Sequence, residues 1–333
     1  MYQRLATVTL KNGESVEAGV VRGPEPGWAQ RLVRLLWHKG DPWNWQNAQV
    51  LERTLGIDAF FYILHRDGAP LANIMTIELE GVGLFGHVWT NPEDRQKGAS
   101  GSLLQLLMAD FAARNGRALY LGTGYDSVPY HLYAKHGFQG IAPASGYMAY
   151  YRAAQADFDA AYFAPGEAVI EPLDWRHWPA AAPLFIGDFP GLVRCAPLQL
   201  IGRESPEGPF LPALLKAEER AQRGRTPTTF ALRHAVTNAV VGLATCDWHP
   251  LWPETRLLDL YCHPNFWHYA PALLEALPFT ADQRLIAYAD QGCPAKLQTL
   301  AAVGFKTTAT LPQWIATDAL QSNWADVLVL TKQ

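Results

Sequence analysis

The chain has 333 residues, 49% hydrophobic and 17% charged, with 27 Lys and Arg against 31 Asp and Glu. At roughly 100–200 residues per domain this length suggests two domains, and a charged share below the usual ~25% leaves ample apolar material for cores, which excludes disorder as the main state. The net charge of -4 divides as -1 and -3 on either side of residue 165, so no basic half exists to serve nucleic acid or an anionic membrane.

In chain order, the opening MYQRLATVTLKNGE is interrupted by Lys11 and Asn12 and offers no signal-peptide core. Nowhere do eighteen apolar residues run together, so no helix is expected to span a bilayer, and the expected location is the cytoplasm. VEAGVV followed by WAQRLVRLL reads as a strand and a helix. The next stretch, WHKGDPWNWQN, sets Trp37, Trp43 and Trp45 close together, as a cation-binding aromatic surface or as a packed lid. Strand-like runs flank Asp67-Gly68 as a hairpin, and GLFGHVWTNP alternates as a strand up to an X-Pro stop. The Leu-rich helix SLLQLLMADFAARNG, the short strand ALYLGTG and the helix YHLYAKHGF follow, the last with Gly137 as its C-cap.

Residues 154–167 lack a clean period and end in Pro165-Gly166, which places a boundary between domains at 1–153 and 167–333. Beyond it the same landmarks return in order: EAVIEPL and WPAAAPLF, a hairpin about Thr237-Asn238, RLLDLYCHP, APALLEALPF, RLIAYAD and LQTLAAVGF. Pro92 and Pro264 are 172 apart, Leu103 and Leu273 170, Gly137 and Gly304 167, a drift that fits one plan written twice. Cys195, Cys246, Cys262 and Cys293 all lie in the second half without metal-ligand spacing, and they read as buried thiols in a reducing compartment.

Between Thr90 and Ser102 lies NPEDRQKGASGS. Gly98, Ala99, Ser100 and Gly101 are small residues at a strand-to-helix turn, where backbone N–H groups and the helix dipole favour an anion. Arg95, Gln96 and Lys97 add donors and two positive charges, which suits a pyrophosphate.

Arg95-Gln96-Lys97-Gly98-Ala99-Ser100 resembles the signature of the GNAT superfamily of N-acyltransferases, Arg/Gln-x-x-Gly-x-Gly/Ala, except that Ser100 takes the last position. YHLYAKHGF resembles that family's second motif, and the likeness runs from about residue 57 to 152. The resemblance implies an α/β (α+β) fold of two tandem GNAT-like domains, each a mixed, mostly antiparallel twisted sheet flanked by helices. It implies an acyl-CoA-dependent N-acetyltransferase that moves an acetyl group from acetyl-CoA directly to a small-molecule or peptide amine, without metal. It places pyrophosphate on residues 96 to 102, Ser102 included, and the pantetheine arm on Val88, Trp89 and Thr90, where a strand splays from its neighbour. Tyr133 would protonate the departing thiolate.

Asp126 stands where many relatives carry a cofactor-contacting Asn; it could instead face the amine or cap a helix with Ser127. The base is open between His87 and Glu78, with Glu78 and Glu80 expected on one strand face. The second half has HPNFWHYAPALLEAL in place of the loop, with Phe266, Trp267 and Tyr269 to obstruct a pyrophosphate and Leu300 for Tyr133, so it is expected to bind no CoA. His263 reads there as a surface strand terminator. The competing reading is a CoA-binding regulatory protein without transfer. An aminoacyl-tRNA-dependent transferase of the same tandem plan is disfavoured by charge.

Overall fold

The computed structural model describes residues 1–280 and 282–332, so Gln333, the expected end of the second domain, lies outside the described residues. The chain divides into two compact units, Met1–Gln139 with Met148–Ala154, and Gly140–Tyr147 with Gln155 onward. The first unit carries the eight-stranded sheet and the second a seven-stranded one.

The first sheet contains β1 (Tyr2–Thr9), β2 (Ser15–Arg22), β3 (Asp58–Arg66), β4 (Ala69–Leu79), β5 (Val82–Thr90), β6 (Ala118–Gly122), β7 (Gln139–Gly140) and β8 (Tyr147–Tyr151), in the order β1-β2-β3-β4-β5-β6-β8-β7. Strands β1 to β5 pair antiparallel, whereas β5 and β6 run parallel. Helices α1 (Pro26–Leu36), α2 (Trp43–Glu52), α3 (Ala99–Ala113) and α4 (Val128–Ala134) flank it. Alternation decides the faces. Phe60, Tyr62, Ala72, Ile74 and Phe85 share one core with Leu103, Leu107 and Phe111 of α3, while Phe61, Ile63, Met75 and Ile77, one residue out of phase, are buried on the other face. α1 and α2 lie against that other face, where Gln46 of α2 meets Met75.

The second unit contains α5 (Gln155–Tyr162), β9 (Ala168–Pro172), α6 (His177–Ala180), α7 (Ala182–Ile186), the small hairpin β10 (Val193–Cys195) and β11 (Leu200–Ile201), and α8 (Phe210–Gln222). It continues through β12 (Thr229–His234), β13 (Val240–Trp248), β14 (Thr255–Cys262), α9 (Ala270–Glu275), β15 (Arg284–Ala289), α10 (Pro294–Ala302), β16 (Lys306–Ala316) and β17 (Trp324–Lys332). Its sheet reads β9-β12-β13-β14-β15-β17-β16, the same succession as β2-β3-β4-β5-β6-β8-β7, and β14 with β15 is parallel, as β5 with β6 is. Gly137 and Gly304 end matching helices at φ +91° and +95°, a conformation that a Cβ would strain. Two mixed, mostly antiparallel sheets flanked by helices are thus what the resemblance implied.

Several segments differ from the sequence reading. Residues 155–162 are no bare linker: α5 buries Phe158 and Tyr162 in the second unit. β1, the β10–β11 hairpin and α8 went unread. His263 is buried and stacked on Phe163 at 4.3 Å, and desolvation pushes its pKa down to about 4, so it is not a surface residue.

The feature that positions chemistry is the parallel pair. β5 and β6 bond only at Val82–Leu84 with Ala118–Tyr120, after which β5 runs on to Thr90 apart from β6. β14 and β15 likewise pair only over Thr255–Leu257 and Arg284–Ile286. Here, however, the chain's own Pro190–Ala196 is bonded into the parting strands. The Asp259 carboxylate of β14 accepts from the Ala196 amide (2.7 Å), and Tyr261 donates to the Pro190 carbonyl (2.9 Å). Asp290 beyond β15 accepts from the Leu192 and Val193 amides (both 2.8 Å), and Lys296 of α10 donates to the Val193 carbonyl (2.8 Å) while pairing with Asp259 at 2.5 Å. Lys296 and Asp259 are both fully buried, and removing one partner of such a pair leaves an uncompensated charge costing about 3–5 kcal/mol. Asp259→Leu or Lys296→Met alone should therefore lower stability by about that amount in urea unfolding, and the double variant by clearly less than the sum.

Candidate functional site

In the first unit the parting strands stay open. A cleft of about 920 Å³ is lined by Val88, Trp89 and Thr90 of β5, by Arg95, Gln96, Lys97, Gly98, Ala99, Ser100, Gly101 and Ser102, and by Tyr133. Every expected cofactor residue except Asp126 is therefore on one surface. The helix begins earlier than the expected start near Ser102: Gly98 is the N-cap of α3 at φ +86°, and Ala99–Ser102 form the first turn. The Ser102 amide bonds the Gly98 carbonyl (3.1 Å), which leaves the Ala99, Ser100 and Gly101 amides without intrahelical acceptors. A Cβ at Gly101 would meet only Leu132 at 3.9 Å, so the backbone here faces open space suited to a phosphate. Thr90 and Ser100 hydroxyls, 3.1 Å apart, tie strand end to helix start.

The loop's charges are not equally disposed. Asp94, almost fully buried, takes Arg66 at 2.7 and 3.0 Å and Lys97 at 2.9 Å; the Arg66 hydrogen bonds, then Lys97, hold its carboxyl down near pKa 2. Lys97 is thus committed to a buried carboxylate. Arg95 donates to the Thr90 carbonyl (3.2 Å) and lies 4.7 Å over the Trp89 ring, on which His38 also stacks at 3.6 Å.

Tyr133 is buried on α4, edge-on to Phe85 of β5 at 5.1 Å, and reaches the cleft. Asp126 does not. It sits at φ +56°, 2.8 Å from His131, with an exposed carboxylate, and Ser127 alone caps α4 by accepting from the Tyr130 amide. The cap falls to Ser127, and Asp126 lies outside the cleft lining, beside His131, which belongs to it.

The two base candidates separate. Glu78 is buried on the α3 face: Arg114 donates to it at 2.9 and 3.1 Å, Thr76 at 2.6 Å, and the same Arg114 bonds Asp110 and Tyr62. It pairs across to Gly83, five residues before Val88, or about 16 Å along the strand at ~3.3 Å per residue. Glu78 is a structural anchor and lines no part of the cleft. Glu80, expected on the same strand face, lies beyond β4 in the hairpin turn at φ +50°.

His87 occupies a β-bulge, where the register between β4 and β5 shifts, at φ +51°. Asn73 donates to its carbonyl (2.9 Å), and Trp43 meets its ring edge-on at 5.2 Å. Both ring nitrogens are buried without a hydrogen-bond partner among the described residues, as are Gln46 Oε1, Asn73 Oδ1 and both amide atoms of Asn47. Desolvation, helped by Lys39 and His38, lowers the His87 pKa to about 3. Of the three tryptophans, Trp43 borders this polar cluster, whereas Trp37 is largely exposed. Gln46, Asn47 and Asn73 were not singled out from sequence; no motif marks them. Lys11 and Thr9, from the β1–β2 hairpin, also line the cleft unforeseen, although Asn12-Gly13 between TVTL and VEAGVV is a hairpin signal.

No protein-family model and no curated protein matches the chain. Solved structures similar to it include yncA of Salmonella typhimurium, solved with its cofactor acetyl-CoA, at 18% identity, covering 50% of this chain and 93% of that one with a TM-score of 0.36. Ribosomal-protein-S5-alanine acetyltransferase from Vibrio fischeri is similar at 12% identity, covering 49% and 91% with a TM-score of 0.36. So is a GNAT-family acetyltransferase from Bacillus anthracis, at 14%, 50% and 95%, with a TM-score of 0.32.

The His87 environment yields a stability prediction. Its pKa falls from about 6.5 in the unfolded chain to about 3 in the folded one, so below pH 6.5 the unfolded state binds the extra proton and stability drops as pH falls. His87→Asn, which tolerates the positive φ, should reduce the stability lost between pH 7 and pH 5 by about 2 kcal/mol in urea unfolding at the two pH values.

Proposed function

We propose that the chain is an acyl-CoA-dependent N-acyltransferase of the GNAT type, using acetyl-CoA and a primary amine, with its single cofactor site in the first unit. The observation that carries this reading is the meeting, in one cleft, of an unpaired strand edge at Val88–Thr90, the first-turn amides of Ala99–Gly101 and the Tyr133 phenol. The second unit is a duplicate of the first that has given up the site, which the common strand succession supports. In place of an open helix start it has a 3₁₀ turn, Pro264–Tyr269, entered through His263, whose ring accepts from the Asn265 amide (3.2 Å). The four unpaired, buried cysteines fit work in a reducing cytoplasm.

Bound acyl-CoA supplies an activated thioester carbonyl. The α3 amides hold its diphosphate, and the open β5 edge bonds the amide groups of its arm, which fixes the reacting carbon against the strand. As the C–N bond forms and the C–S bond breaks, Tyr133 donates its hydroxyl proton to the departing sulfur, and the proton shed by the new amide nitrogen, carried by water, restores the phenol. His87, its ring buried against Trp43 and outside the cleft lining, is assigned no proton transfer in this reading. The amine therefore reacts as its free base, and turnover should rise with pH towards the amine's own pKa.

Tyr133→Phe should lower kcat at least tenfold while leaving the acetyl-CoA Kd within twofold, measured by thiol release and calorimetry. An unchanged kcat removes Tyr133 as the acid. The commitment of Glu78 to Arg114 and the low pKa of His87 give some weight to a second reading, a CoA-binding protein without transfer. Thiol release with a broad amine panel separates the two.

A further inference from the structure

Resting on that proposed site, we infer that Lys11, supplied by the β1–β2 hairpin, is the lysine that binds a phosphate of the cofactor. The loop has two cations of its own, and each is already engaged through part of its side chain. Lys97 is 2.9 Å from the buried Asp94, which Arg66 also clasps. Arg95 spends its Nε on the Thr90 carbonyl and its guanidinium face on Trp89.

Lys11 is placed differently. Its backbone amide donates to the Lys97 carbonyl (3.0 Å), which pins the hairpin turn to the loop. Its side-chain methylenes pass Gly98 so closely that a Cβ there would touch Lys11 Cγ and Cε at 3.6 Å. The side chain lines the cleft beside the first turn of α3, is exposed, and has no ion pair among the described residues. An aliphatic stem lying along the loop with its ammonium in water is the arrangement by which a lysine meets a bound anion as a mobile point charge. Lys135 lines the same cleft from the end of α4, but among the described residues no bond ties it to the loop. The turn that carries Lys11 is held in place by neighbouring residues: Leu10 belongs to the core, its amide bonds the Glu14 carbonyl (2.8 Å), and Glu14 pairs with Arg66. Arg66 thus links the hairpin, through Glu14, to the loop, through Asp94.

The test is calorimetric titration of the full chain with acetyl-CoA at low and at 0.3 M salt, for the parent, Lys11→Ala, Lys11→Glu and Lys11→Arg. Lys11→Ala should raise Kd about five- to tenfold at low salt and flatten its salt dependence. Lys11→Glu should raise Kd further, and Lys11→Arg should stay within twofold. Because the side chain is exposed, all three should melt with the parent. Repeating the series with 3′-dephospho-CoA identifies the phosphate: a persisting Lys11→Ala effect assigns the diphosphate, and a vanished one the 3′-phosphate. Parent-like affinity of Lys11→Ala and Lys11→Glu, with the parent binding acetyl-CoA, overturns this inference alone. A parent that binds no acetyl-CoA overturns the proposed function and this inference with it.

Discussion

Each sheet of this chain contains a parallel pair of strands, β5 with β6 and β14 with β15, and each pair holds for only three rungs before the strands part. Parting strands expose backbone N–H and C=O groups, which in a protein interior must find partners. Whatever bonds to those groups decides what a unit can do. In the second unit the chain's own Pro190–Ala196 is held at the parting by the side chains of Asp259, Asp290, Tyr261 and Lys296, which bond its backbone. In the first unit no such segment intervenes among the described residues, and Val88–Thr90 line a cleft.

From that constraint the remaining features of the first unit follow. A cleft between strands needs rigid walls. One is α3, docked on the sheet by its Leu and Phe residues and clamped at its far end by Arg114 on Glu78, Asp110 and Tyr62. The other is α4, whose Tyr133 rests on Phe85. Its mouth is shaped by Asp94, whose burial among Arg66 and Lys97 fixes the loop before the helix. Charge is thus used first to set the loop and only then to meet a ligand.

The sequence was most informative where chemistry is contiguous. The run Arg95 to Ser102 could be read because a strand end, small residues and a helix start follow one another directly, and the structure places them together on one cleft. It misled where a side chain's partner lies far along the chain. Glu78 looked available as a base because Arg114, which consumes it, belongs to the end of a helix on the opposite side of a long loop. His87 and Glu78 seemed interchangeable until a bulge placed His87 against Trp43 on the other sheet face. Nothing local in Pro190–Ala196 announces that it fills the parting of two strands, since its anchors come from three separate elements.

The central claim, that the open parting of the first sheet and not the filled one of the second receives acyl-CoA, is tested most directly by hydrogen exchange of the full chain with and without acetyl-CoA. The account predicts slowed exchange at Val88–Thr90 and at the amides of Ala99, Ser100 and Gly101, with no change over Leu258–Ala270 or Pro190–Ala196. Protection of those second-unit segments, or of none of these amides under saturating acetyl-CoA, would contradict it.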